Sequence, residues 1–210
     1  MPILTSKDIL KRIEAGDISF KPGLDSFQIQ GHSVDLRLGY TFLIPKTWKH
    51  TPQGRVGMPI VDFDNMTRDM FEVVELEAGQ YFELLPQEHV LVSTFETVKV
   101  PDDLMAVLYP RSSTNRKGLS LDLTGIVDSG YEGQLILPIR NSTVSNTIRL
   151  YPGERICQII FEELTGKTEM RKSKYHKRDI AEGAQKEKED EAKLIKSGAI
   201  TQLKKDFKVA

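Results

Sequence analysis

At 210 residues, with 39% hydrophobic and 28% charged side chains, the chain is long enough to bury one sizeable core and too apolar for bulk disorder. Its 29 Lys and Arg nearly cancel its 30 Asp and Glu, so no global field draws it to nucleic acid or an anionic membrane, and any phosphate site has to be a local cluster. No apolar run approaches the roughly 20 residues that span a bilayer. The start lacks the pattern of a secretory signal. Cys157, the single cysteine, lies in the apolar run 156–160 and reads as a buried thiol of a reducing, cytoplasmic setting, with neither membrane nor nucleic acid as a partner.

In chain order, Thr5 or Ser6 caps a helix over 6–15 that carries Ile9, Leu10 and Ile13 on one face and stops near Gly16. From Phe20 the pattern changes to short apolar runs between Gly, Pro, Asn and Asp. Alternation marks a strand in Ser33-Val34-Asp35-Leu36-Arg37-Leu38-Gly39, and further strands are expected at 71–76, 81–84, 89–94, 106–109, 119–123, 133–139, 147–150 and 158–162. Turn signals stand at Pro86, Pro101, Gly130 and Pro152-Gly153. Many short strands imply a sandwich or barrel-like β core. After Gly166 charged residues dominate, so 1–166 reads as one β domain and 167–210 as a charged tail, helical over 185–196 with Ser197-Gly198 as its stop.

Two polar clusters interrupt the β pattern. Pro110-Arg111-Ser112-Ser113-Thr114-Asn115-Arg116-Lys117-Gly118 sets three cations and several hydroxyl and amide donors directly after an apolar strand. Guanidinium forks, hydroxyls and backbone N–H groups suit phosphate oxygens, although a solvated basic loop has the same composition. In Gly125-Ile126-Val127-Asp128-Ser129-Gly130-Tyr131, a carboxylate ends an apolar strand and an aromatic follows three residues on. Asp128 either orients and deprotonates a water or merely caps a turn. A zinc deaminase of the cytidine type is excluded because one cysteine cannot supply its ligands. Walker, dinucleotide-binding and nucleophile-elbow glycine motifs are absent, and His32, His50, His89 and His176 lack metal-ligand spacing.

At these clusters the sequence resembles the dCTP deaminase/dUTPase superfamily over about residues 3–175. The resemblance rests on Ile3-Leu4-Thr5-Ser6-Lys7-Asp8-Ile9, the Ser33 to Gly39 segment, the stretch from Leu91 to Leu104 followed by Pro110-Arg111-Ser112-Ser113, and Gly153-Glu154-Arg155-Ile156-Cys157-Gln158-Ile159-Ile160. It implies a mainly β protein with a distorted β-barrel or jelly-roll core, assembled as a homotrimer with active sites between subunits. In that reading Arg111, Ser112, Ser113 and Gln158 hold a triphosphate whose oxygens carry Mg2+. Asp128 matches the carboxylate that positions the attacking water in dUTPases. Tyr131 matches the aromatic that packs on deoxyribose, and Arg116 matches a helper of the deaminases. Lys174-Tyr175 matches part of the deaminase lid, but His176-Lys177-Arg178-Asp179 lacks the Gln that follows there.

One departure separates the activities. Aligned through Gly133 and Asn141, Pro138 stands where deaminases carry the glutamate that shuttles a proton to cytosine, and the same strand holds no nearby carboxylate to replace it. As a residue without an N–H, Pro138 is expected at an edge position or a bulge. The expected activity is therefore dUTP hydrolysis to dUMP and pyrophosphate. A dCTP deaminase or bifunctional enzyme and a nucleotide-binding regulator without turnover are the alternatives.

Overall fold

The computed structural model describes residues 2–58, 68–122, 125–168 and 189–206. Thr5 caps helix α1 (Ser6–Glu14) by accepting the Asp8 N–H on its hydroxyl, and Ile9 is the residue α1 buries fully. Beyond α1 the chain is mostly strand: β1 (Ser19–Lys21), β2 (Val34–Pro45), β3 (Trp48–Thr51), β4 (Gly54–Gly57), β5 (Phe71–Glu75), β6 (Phe82–Leu84) and β7 (His89–Lys99). After β8 (Leu104–Pro110) comes a short helix, α2 (Ser112–Arg116), followed by β9 (Leu119–Leu121), β10 (Ile126–Val127), β11 (Glu132–Asn141), β12 (Ile148–Leu150) and β13 (Arg155–Glu163). Helices α3 (Glu189–Lys196) and α4 (Ile200–Asp206) follow.

The main sheet runs β10-β8-β13-β2-β7-β11-β9, with β1 on β7 and β5 on β2. Two small antiparallel pairs, β12-β6 and β3-β4, complete the strands. The sheet curls because β2 changes partner along its length: Val34 to Arg37 pair with β13, and Leu38 to Leu43 pair with β7. This is the barrel-like, mainly β architecture expected, with Phe42, Leu38, Leu137, Ile139, Ile159 and Phe161 among the side chains fully buried in the core.

The nine strand segments read from sequence are all present. The sequence reading did not find β1, the β3-β4 hairpin, β10 or α2. The hairpin is exposed along nearly its whole length, with no buried alternation to betray it. Ser, Thr and Asn are weak helix formers, and α2 is held instead from outside, where the Thr114 hydroxyl donates to the Ile156 carbonyl at 3.1 Å.

By compactness the chain divides into a larger unit built from α1, α2 and the main sheet and a smaller one that holds the β3-β4 hairpin, α3 and α4. In the smaller unit α3 covers part of the helix expected at 185–196 and ends at Ser197-Gly198 as expected, with Gly198 left-handed at φ 75°. Residues 185–188, and with them the start of that helix, lie outside the described residues. Among the described residues no helix is long and apolar enough to cross a membrane.

Candidate active site

The phosphate-type cluster is built where β8 ends. Arg111 is the N-cap of α2 with extended backbone, so its side chain leaves the strand just as the chain turns into the helix. Its Nε lies 3.2 Å from Asp35 Oδ2, and its Nη1 donates to the Arg155 carbonyl at 3.1 Å. Arg155, on β13, reaches the same Asp35 oxygen at 3.1 Å and donates to the Phe27 carbonyl at 2.6 Å. One carboxylate, with its side chain only 3% exposed, therefore fixes two guanidiniums that each keep about a quarter of their surface. Burial raises the Asp35 carboxyl above the usual range, and Arg111 and Arg155 pull against that rise. Without a role in the sequence reading, Asp35 turns out to order this end of the site. Its signal was a carboxylate between the apolar Val34 and Leu36 in a strand that buries all three.

A third arginine is fixed from the other side. Arg37 Nη1 donates to the Gly153 carbonyl and Nη2 to Asp25, each at 2.6 Å, while its backbone N–H donates to Glu96 Oε2 at 2.9 Å. Glu96 is buried and also accepts from Gln28 Nε2 at 2.7 Å. With no cation at its carboxylate, burial pushes the Glu96 carboxyl upward. A cavity of about 320 Å3 opens among Arg37, Arg111, Ser113, Lys117, Arg149 and Arg155, with Glu154 also at its wall.

The other phosphate-motif residues lie close by but do not line that cavity. Ser112 and Arg116 share one face of α2, whereas Ser113 and Lys117 share the next. Ser112, Ser113 and Arg116 are exposed. Gln158 stands on β13 in register with Tyr109 and with Asp35, and its Oε1 accepts from the Ser33 hydroxyl at 3.2 Å. Hydroxyls, amides and guanidiniums make up this donor set. Among the described residues no three His, Cys, Asp or Glu side chains are grouped to ligate a metal. A site of this kind fits phosphate oxygens that bring Mg2+ with them better than a metal held by protein ligands alone.

The hydrolytic candidates are elsewhere. Asp128 follows β10 and is exposed, and its carbonyl accepts the Tyr131 N–H at 3.2 Å across a turn that Gly130 makes possible at φ 75°. Tyr131 is buried to 7% exposure, and its hydroxyl donates to the Gln134 carbonyl at 2.6 Å. Burial pushes its phenol up to about 12. The ring lies over Gly133, where a Cβ would meet the Tyr131 hydroxyl oxygen at 2.8 Å, so the neighbouring glycine is what lets the ring occupy its place.

Register shows that these two groups do not meet within one chain. Val127 pairs with Ala106, five residues before Arg111. At about 3.3 Å per residue, roughly 16 Å of strand separates Arg111 from the position opposite Val127. The phosphate-type cluster and Asp128 thus occupy opposite ends of β8. Lys174 and Tyr175, expected in a lid, lie outside the described residues.

Pro138 lies on β11 opposite Leu91 of β7. On its other side the β9 pairing covers Ile139 to Asn141 and stops there. The missing N–H thus falls where a ladder ends, which is the edge position expected of a proline.

Taken together, a curled β sheet, an Arg-Ser-Ser cluster at a strand end and an Asp-Ser-Gly-Tyr turn define a nucleotide-type site on a barrel-like fold. The family model of dCTP deaminase-like proteins matches residues 3–164, and the chain belongs to that family. It is 39% identical over 172 residues to the dUMP-forming dCTP deaminase of Methanosphaera stadtmanae, covering 80% of this chain and 83% of the relative. With the dUMP-forming dCTP deaminase of Dictyoglomus turgidum it shares 43% identity over 181 residues, covering 83% and 89% respectively. Its fold is similar to the crystal structure of 2'-deoxycytidine 5'-triphosphate deaminase from Agrobacterium tumefaciens, with a TM-score of 0.58 and 24% identity over 76% of this chain and 48% of that one.

Proposed function

We propose that the protein hydrolyses dUTP to dUMP and pyrophosphate in a site completed between copies of the chain. The observation that carries this reading is the separation along β8. Arg111 and Asp128 both have the chemistry of such a site, yet one strand holds them apart, so a second copy must bring an Asp128 end to each Arg111 end. Membership of a family whose relatives are named dUMP-forming supports a pyrimidine deoxynucleotide as substrate.

In this reading Arg111, Ser112, Ser113, Arg116 and Gln158 bind the triphosphate, and Asp35 keeps Arg111 aimed before substrate arrives. Asp128 orients a water and takes its proton as the oxygen attacks the α-phosphorus, and the bond to the pyrophosphate leaving group breaks in line. Mg2+ carried by the phosphates offsets their negative charge. Tyr131, locked by Gln134 and packed on Gly133, gives the sugar a fixed wall. Lys174 and Tyr175 close over the triphosphate.

The test is a product assay with dUTP, dCTP and dTTP supplied separately with Mg2+. Pyrophosphate from dUTP, abolished by Asp128→Ala, is the expected result. Absence of pyrophosphate from all three nucleotides would reject the enzyme reading in favour of a regulator that binds without turnover.

A further inference from the structure

The register of the last sheet strand puts a second carboxylate beside Pro138. β9 and β11 are antiparallel, with Leu119 opposite Asn141, Ser120 opposite Arg140 and Leu121 opposite Ile139. One step further Asp122 donates its backbone N–H to the Pro138 carbonyl at 2.9 Å. Asp122 and Pro138 are therefore direct cross-strand neighbours, with side chains on one face and Cβ atoms about 5 Å apart.

That carboxylate is both accessible and oriented. Its side chain is 45% exposed, the Ser120 hydroxyl donates to Oδ1 at 2.8 Å, and Oδ2 stands 3.9 Å from the Arg140 guanidinium. Ile136 and Pro138, half-buried on the same face of β11, make an apolar strip next to it. α2, which carries Ser112 and Arg116, packs against β9 just upstream. A carboxylate held by a hydroxyl and a guanidinium, beside an apolar strip and close to a phosphate-type motif, has the requirements of a general acid-base acting on a bound base.

We infer that Asp122 is the acid-base residue of a second reaction of this chain, hydrolytic deamination of dCTP at cytosine C4. The inference rests on the reading of the site as one for pyrimidine deoxynucleoside triphosphates. Water oxygen bonds to C4 while Asp122 takes one of its protons and passes it to N3. Asp122 next takes the proton of the new C4 hydroxyl and gives it to the exocyclic nitrogen. The C4–N bond breaks, ammonia leaves, the C4 carbonyl forms, and Asp122 is again ionised. Only water is consumed. The missing shuttle of β11 is thus replaced from the strand alongside, and the dUTP formed feeds the hydrolytic step at Asp128.

The experiment measures ammonia from dCTP and pyrophosphate from dUTP for the unmodified protein, Asp122→Asn, Asp122→Glu and Asp128→Asn. The unmodified protein releases both products. Asp122→Asn lowers ammonia release by about 100-fold or more and leaves pyrophosphate from dUTP within about twofold, and Asp122→Glu regains part of the ammonia release. Asp128→Asn loses pyrophosphate and keeps ammonia. Pyrophosphate from dUTP without ammonia from dCTP in the unmodified protein overturns the role of Asp122 while the nucleotide reading stands. Equal ammonia release by Asp122→Asn overturns it too, as does loss of both products in a variant that melts normally. If the unmodified protein releases neither product, the nucleotide reading itself falls.

Discussion

If each site joins the Arg111 end of one copy to the Asp128 end of the next, two inactive variants must repair one another. Arg111→Ala removes a phosphate donor and lowers activity on dUTP by roughly 100-fold, and Asp128→Ala removes the water's base, with a loss of roughly 100-fold or more. In a cyclic trimer holding both variants, whichever is in the majority, one site receives an intact Arg111 end and an intact Asp128 end. Mixed trimers should therefore recover about one third of the unmodified activity, against about 1% or less for either variant alone. The two variants would be co-expressed with different affinity tags, doubly tagged species isolated, and pyrophosphate release from dUTP measured per chain. The arithmetic depends on the roughly 16 Å of strand between Arg111 and the position opposite Val127. Doubly tagged species no more active than the separate variants would refute the shared site and, with it, the use of strand register to place the two ends.

Two further outcomes concern the buried carboxylates. Asp35→Asn should destabilise the protein by about 3 kcal/mol in urea unfolding, the low end for a broken buried pair because Arg111 and Arg155 keep 26% and 29% of their surface, and it should raise KM for dUTP more than it lowers kcat. Glu96→Gln should flatten the fall in stability with rising pH. Burial raises the folded Glu96 pKa above its ordinary 4.5, so the folded state binds the proton more tightly; that stabilisation is full below 4.5 and lost as pH rises through the folded value. Urea midpoints measured at intervals from pH 4 to 8 check this, and an unchanged slope would contradict it.

Most of the strands were legible because alternation and turn residues carry their own signal. β2, β7, β11 and β13 bury alternate or nearly continuous apolar side chains, and Gly and Pro bound them. The β3-β4 hairpin leaves most of its residues exposed and α2 is built from poor helix formers, so neither has a pattern that local sequence could show. At the site the chemistry was legible and the geometry was not. Arg111 and Asp128 are 17 positions apart in sequence, and only the pairing of Val127 with Ala106 shows that the chain returns to the far end of β8. Asp122 lies even deeper in register: nothing near it in sequence names Pro138 as its neighbour, and an alignment along β11 alone finds no carboxylate. Asp35 and Glu96 were hidden for another reason. Buried acids are rare, and in an alternating strand a polar residue reads as facing water.

Cys157 has a practical consequence. It is fully buried, and burial together with the Glu96 and Asp35 carboxylates pushes its thiol far toward the protonated form, which neither oxidants nor alkylating reagents attack readily. With no other cysteine in the sequence, the native protein is chemically silent toward thiol reagents. A cysteine placed at exposed Ser113 would be its one addressable sulfur, so a fluorophore or spin label could be set at the phosphate end without first removing anything from the core.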